Sequence, residues 1–173
     1  MARAAMLLTM FDAAYARLRN RLAGLSDEEF FWQPVQNCWT IYQEPATGRW
    51  TYHYAIPDPQ PPPVTTLGWQ LVHLAACKVI YHEWAFGAAR LTFPELVIPH
   101  TATGAIAWLE DGQALLRAEL QGLSEAQLDE PRRTNWGELW PAWRIFWVML
   151  DHDALHGGAI GQLRDLYHWT PRR

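Results

Sequence analysis

Leu7, Phe11, Ala14, Leu18 and Leu22 recur at intervals of three and four residues. That spacing puts side chains on one face of an α-helix, and it predicts an amphipathic helix over residues 4–22 with Gly24 as its stop. Ser26, followed three residues later by Glu29, has the pattern of a capping box, so a short helical turn is expected there, ended by Pro34. A second stripe, Trp69, His73, Ala76, Cys77, Ile80 and Trp84, predicts a helix over 66–88 with Gly87 near its end. Ile106, Leu109, Leu116 and Leu120 predict a third, from 101 or 103 to 120, closed by Gly122, with a short turn possible over 124–128. The last helix is expected over 141–167, with Pro141 in its first turn.

The stretches between these helices read differently. Residues 36–66 carry Pro45, Gly48, Pro57, Pro59 and the run Pro61-Pro62-Pro63, the composition of a long crossover with little regular structure. Its aromatics, Trp39, Tyr42, Trp50, Tyr52 and Tyr54, imply that it packs onto the helices, and a connection this long is often functional. Residues 129–139 read as a polar loop. Period-two alternation is scarce, so the expected class is all-α: a four-helix bundle with a long first crossover connection, as a single domain across residues 1–173. The long connection allows the first two long helices to run parallel.

Composition narrows the function. Half of the 173 residues are hydrophobic, enough for a core without disulfides, and eleven tryptophans suit a deep core, pocket walls or a subunit interface. The formal charge of −4 argues against nucleic acid, which needs a clustered basic surface. The dense basic runs, Arg132-Arg133 and Arg172-Arg173, read as solvated charge. Two cysteines, Cys38 and Cys77, and the lack of a leader pattern point to a reducing cytoplasm. No stretch approaches a membrane span.

The candidate chemistry lies in the helix stripes. His152 and His156 are four apart and therefore share a face, and imidazoles so placed can chelate one metal ion. Ile145, Val148 and Met149 before them and Ala159, Ile160 and Leu163 after them put the pair on the buried seam. His73 lies mid-stripe on the second long helix. Alone it would read as a satisfied core histidine, but three seam histidines are more economically explained by one shared divalent ion, zinc or nickel ahead of copper or iron. Three neutral imidazoles would leave a coordination position for water or substrate.

Around them, Cys77 is either a fourth ligand or a buried core thiol. Asp151 and Asp153 either orient an imidazole or are solvated helix charge, and Asp12 carries the same two readings. His82-Glu83 begins like a zinc-protease motif, but Phe86 stands where its second histidine would be. Tyr81 and His82 read as helix-end residues, and His53 and His100 as ordinary surface residues. Arg164 would bind a substrate carboxylate or complement the helix dipole.

Leu25-Ser26-Asp27-Glu28-Glu29 with Trp32 and Pro34, Leu71-Val72-His73-Leu74-Ala75, and the His152/His156 pair followed by Gly157-Gly158-Ala159-Ile160 resemble the DinB/YfiT-like superfamily over nearly the whole length. The resemblance implies a helical bundle whose divalent metal is held by one histidine of the second long helix and two of the last, roles that fall on His73, His152 and His156. Ala159 departs from the glutamine often found at its position. With the aromatic excess, the resemblance also implies a homodimer, with some of Trp108, Trp136, Trp140, Trp143 and Trp147 in the interface. It further implies a small-molecule substrate and a low-molecular-weight-thiol S-transferase or isomerase using a thiol such as mycothiol or bacillithiol. A metal-dependent hydrolase and a metal-stabilised dimeric binding module remain alternatives.

Overall fold

The stripes read from the sequence are the faces the fold buries. In the computed structural model, which describes residues 2–57 and 59–171, α1 (Arg3–Arg21) buries Phe11, Ala14 and Leu18. Ser26 Oγ accepts the Glu29 N–H at 3.2 Å and starts the short helix α2 (Asp27–Phe31). Only that half of the expected capping box forms there, because the Glu29 carboxylate is turned to Arg164 on the last helix. Thr66 caps α3 (Leu67–Phe86) and Thr101 caps α4 (Ala102–Gly122), each hydroxyl accepting an N–H of the first turn. α3 is buried on almost every side, as expected of a helix packed on two long neighbours.

The connections hold more order than their composition promised. Inside the proline-rich crossover, β1 (Ile41–Gln43) pairs antiparallel with β2 (Trp50–Tyr52), Ile41 opposite Tyr52. The supposed loop after α4 contains β3 (Pro131–Arg133) paired with β4 (Leu139–Pro141), its turn passing through Gly137 at φ 81°. Strands of three residues are too short to show alternation, which is why the sequence pattern missed them. Residues 124–128 lead into a 3₁₀ turn at Gln127–Asp129. α5 (Ala142–Trp169) begins one residue after Pro141, which serves as its N-cap instead of lying in its first turn. The chain is thus mainly helical, with small strand pairs in its connections.

Long-range side-chain pairs fix the helix directions. Arg19 meets Glu110 and Asp12 meets Arg117, so α1 and α4 run antiparallel. Lys78 meets Gln113 and His82 meets Glu119, so α3 and α4 run parallel. α1 and α3 are therefore antiparallel, contrary to the expectation that the first two long helices share a direction; the connection over residues 87–101 is the one that permits a parallel pair. α5 packs along α1 and α3. One buried cluster gathers Leu18, Leu22, Leu67, Leu71, Leu109 and Ile160. A second gathers Phe11, Tyr81, Leu116, Leu120, Phe146 and Met149, with the Phe11 and Phe146 rings edge to face at 6.3 Å. No helix among the described residues is long and apolar enough to cross a membrane. The Arg172-Arg173 run lies outside the described residues.

Candidate metal centre

α3 and α5 bring the three seam histidines together. The ring centroids of His73 and His156 are 5.0 Å apart, those of His152 and His156 5.4 Å, and those of His73 and His152 6.3 Å. One nitrogen from each ring lies within 4.8 Å of the others. This is within the compass of a single ion that takes nitrogen ligands at about 2.0–2.1 Å.

Hydrogen bonds orient two of the rings. His152 Nδ1 lies 3.0 Å from the Val148 carbonyl, one turn back on α5, so it carries the proton and Nε2 keeps its lone pair. His156 Nδ1 donates to Gln70 Oε1 on α3. The Gln70 amide is itself set by donating Nε2–H to Thr65 Oγ1 at 2.6 Å, which turns its oxygen toward the imidazole. Backbing a ligating histidine with a carbonyl in this way is the usual second layer of a metal site. His73 has no such partner at Nδ1, which is buried without a hydrogen bond. Its ring lies flat on Trp69, centroids 4.8 Å apart and planes 7° apart. An unpaired buried nitrogen beside two rings with free Nε2 lone pairs is a donor set that fits a divalent cation, which would satisfy it.

Burial keeps all three rings neutral. Desolvation, aided by the neighbouring imidazoles, lowers the pKa of His73 to about 4 and of His156 to about 3. Desolvation also lowers that of His152, against the pull of the Val148 carbonyl. Neutral rings are the form that ligates.

The neighbours sort themselves by geometry. Cys77 Sγ is 3.6 Å from His73 Nε2 but stands outside the converging group, and burial pushes its thiol up to about 12, which favours the core-thiol reading. Asp151 is exposed. Asp153 meets neither expectation: it is buried and faces Lys78, not an imidazole and not solvent. Asp12 binds Arg117 through both oxygens. His82 pairs with Glu119 at 3.3 Å, as a helix-end residue would, whereas Tyr81 is buried. Arg164 neither awaits a substrate carboxylate nor merely complements a dipole. It grips Glu29 with two nitrogens and donates to the Arg21 and Ala23 carbonyls at the end of α1. Arg132 lies over the Phe86 ring and pairs with Glu130, so it is not freely solvated.

Both irregular connections are tied to the helix that carries His73. His53 is half-buried, not a surface residue: its carbonyl accepts the Trp69 indole N–H at 2.7 Å, tying β2 and the rest of the crossover to the residue stacked on His73. His100 is exposed but stacks on Trp50. From the other connection Trp136 donates to the Tyr81 hydroxyl at 3.2 Å, two turns along α3 from His73. Sequence reasoning missed Gln70 and Lys78. Gln70 precedes His73 by three and so shares its face, and a lysine between Cys77 and Val79 in an otherwise apolar run was a visible anomaly.

No curated protein matches the chain. A sequence profile of the DinB superfamily matches residues 10–160. That match spans most of the chain and includes all three converging histidines, so the chain belongs to the DinB superfamily.

Proposed function

We propose that the chain is a four-helix bundle enzyme in which His73, His152 and His156 hold one divalent ion, zinc or nickel, and that it transfers or isomerises a low-molecular-weight thiol adduct of a small-molecule substrate. The observation that carries this reading is the composition of the converging group: three neutral imidazoles and, among the described residues, no carboxylate or thiol. A site with three protein donors has room for an exogenous ligand. When bound there, a divalent ion would favour a thiol in its thiolate form. The protein's part is to hold the ion through the three rings, to orient His152 and His156 through Val148 and Gln70, and to exclude water with Trp69, the crossover and the β3–β4 connection.

The same composition weighs against the alternatives. A hydrolase would want a carboxylate beside the ion as base, and Asp153 is committed to Lys78 while Asp151 faces solvent. A purely structural ion would want a closed fourth position, and Cys77 stands outside the group. The two free cysteines suit a reducing cytoplasm. Trp136, Trp143 and Trp147 are 50%, 40% and 47% exposed in the single chain, and we propose that they lie in a homodimer interface; Trp108 and Trp140 are half-buried. Light scattering that finds only a 20 kDa species at high concentration refutes the dimer.

The test of the activity is direct. Protein loaded with zinc or nickel, with metal content measured, is assayed for binding of small thiols and their transfer to electrophiles. His152→Ala is expected to abolish metal binding and transfer while circular dichroism stays unchanged. Loaded protein inert with every common low-molecular-weight thiol, or a variant that loses its fold with its metal, overturns the enzymatic reading.

A further inference from the structure

Lys78 lies wholly buried in the middle of α3, and its ammonium touches each of the other long helices. Nζ is 2.8 Å from Asp153 Oδ1 and 2.9 Å from Oδ2 on α5. It donates to Gln113 Oε1 on α4 at 2.8 Å. It stands 5.2 Å from the centre of the Phe11 ring and 5.8 Å from that of Tyr15, both on α1. The Lys78 and Asp153 side chains are each 0% exposed. α4 closes on the lysine through Gly112, where a Cβ would come within 3.0 Å of the Lys78 Cβ.

Stability is a poor explanation for this arrangement. A fully desolvated ion pair is often replaced by apolar residues with no loss, or with a gain. The cluster also leaves Gln113 Nε2 buried without a partner, a cost an apolar interior would avoid. What an ion pair supplies and an apolar contact does not is registry. Packed leucines tolerate a slide along the helix axis, whereas an ammonium hydrogen-bonded at once to Asp153 Oδ2 and Gln113 Oε1 has one depth and one rotation. Its position makes registry matter: Asp153 follows His152 directly, and Lys78 lies five residues beyond His73 on the helix that faces α5.

We infer that Lys78, with Asp153 and Gln113, is a positioning cluster that locks α3 against α5 in the one register at which His73, His152 and His156 converge. The inference rests on the metal-site reading above. It assigns the cluster no contact with metal or substrate.

The experiment measures cobalt(II) affinity, by competition with a chromophoric chelator, and the cobalt ligand-field spectrum, in the wild type and in Lys78→Met/Asp153→Leu. Urea unfolding of the metal-free proteins runs alongside. The double variant is expected to unfold at or above the wild-type midpoint, to bind cobalt at least about tenfold more weakly, the lower end for residues that orient ligands, and to show a changed spectrum. Asp153→Asn, nearly isosteric and still able to accept from Nζ, is expected to fall between the two, and it decides the matter if the double variant does not fold. Leu120→Ala, which lowers stability from a buried site seven residues beyond Gln113 on α4, is expected to keep the wild-type affinity and spectrum. Wild-type affinity and spectrum in a folded double variant, or in Asp153→Asn when that variant decides, overturn the inference and leave the metal reading standing. Equal weakening by Leu120→Ala overturns it too, since the effect is then one of stability. A wild type that binds no cobalt overturns the metal reading, and the inference with it.

Discussion

Gln70 on α3 accepts the Nδ1–H of His156 on α5. The contact crosses between the two helices that carry the candidate ligands, and it decides which nitrogen of His156 is free. Replacing Gln70 with Leu removes the acceptor without changing the helix. Metal affinity should fall by about 10–100-fold, with the urea midpoint of the metal-free protein little changed. Calorimetric titration that returns the wild-type affinity would show that the bond does not orient the ring.

Cys77 offers the opposite expectation. Its sulfur is near His73 but outside the converging group. Cys77→Ala should therefore keep the affinity within about threefold, well short of the 10–100-fold that follows even indirect damage to a site. A larger loss, with protein-derived sulfur ligation in the absorption spectrum of the cobalt form, would make Cys77 a fourth ligand.

The three imidazoles should make the metal-free protein acid-sensitive. His73 and His156 titrate near 4 and 3 when folded, and His152 is lowered as well, all from desolvation first. The unfolded chain takes up these protons near 6.5, so between about 6.5 and 4 it binds more protons than the folded chain and stability drops as pH falls. Each ring contributes up to about 1.4 kcal/mol per pH unit across its window. Asp153, whose pKa burial raises, acts in the opposite sense but is one group against three. Urea midpoints measured from pH 7.5 to 4.5 should decline steadily below about 6.5, and a flat series would refute the assigned neutrality.

How much of this was legible in the sequence depends on range. The helix faces and the histidine trio follow from local spacing: four residues bring His152 and His156 onto one face, and apolar neighbours mark that face as the seam. Asp153 was misread because adjacency in sequence is not adjacency in space; one step along a helix turns a side chain roughly 100°, carrying Asp153 from the ligand face to Lys78. The antiparallel course of α1 and α3 depends on pairings such as Arg19 with Glu110, some ninety residues apart, and no local pattern encodes them. Arg164 was read against its own helix end when its partners were Glu29 and the end of α1.

That clamp yields a stability prediction remote from the site. Arg164 and Glu29 side chains are 14% and 3% exposed. Arg164→Met leaves the Glu29 carboxylate without its buried partner and should cost about 3–5 kcal/mol, read from urea unfolding. Adding Glu29→Gln should recover a large part of the loss, and metal affinity should not move. If the single variant unfolds like the wild type, the clamp is ornamental.

The converging histidines come from α3 and α5, with α4 and the β3–β4 pair between them along the chain. On the metal reading this sets an order of events during biosynthesis. His73 is made long before its companions, and no grip on an ion exists until α5 has been made and laid back against α3. The ion therefore cannot nucleate the fold as zinc does in a finger; the apolar clusters must assemble the protein first. In a metal-starved cell such a protein would accumulate as a folded, metal-free reserve that later supply could load without new synthesis.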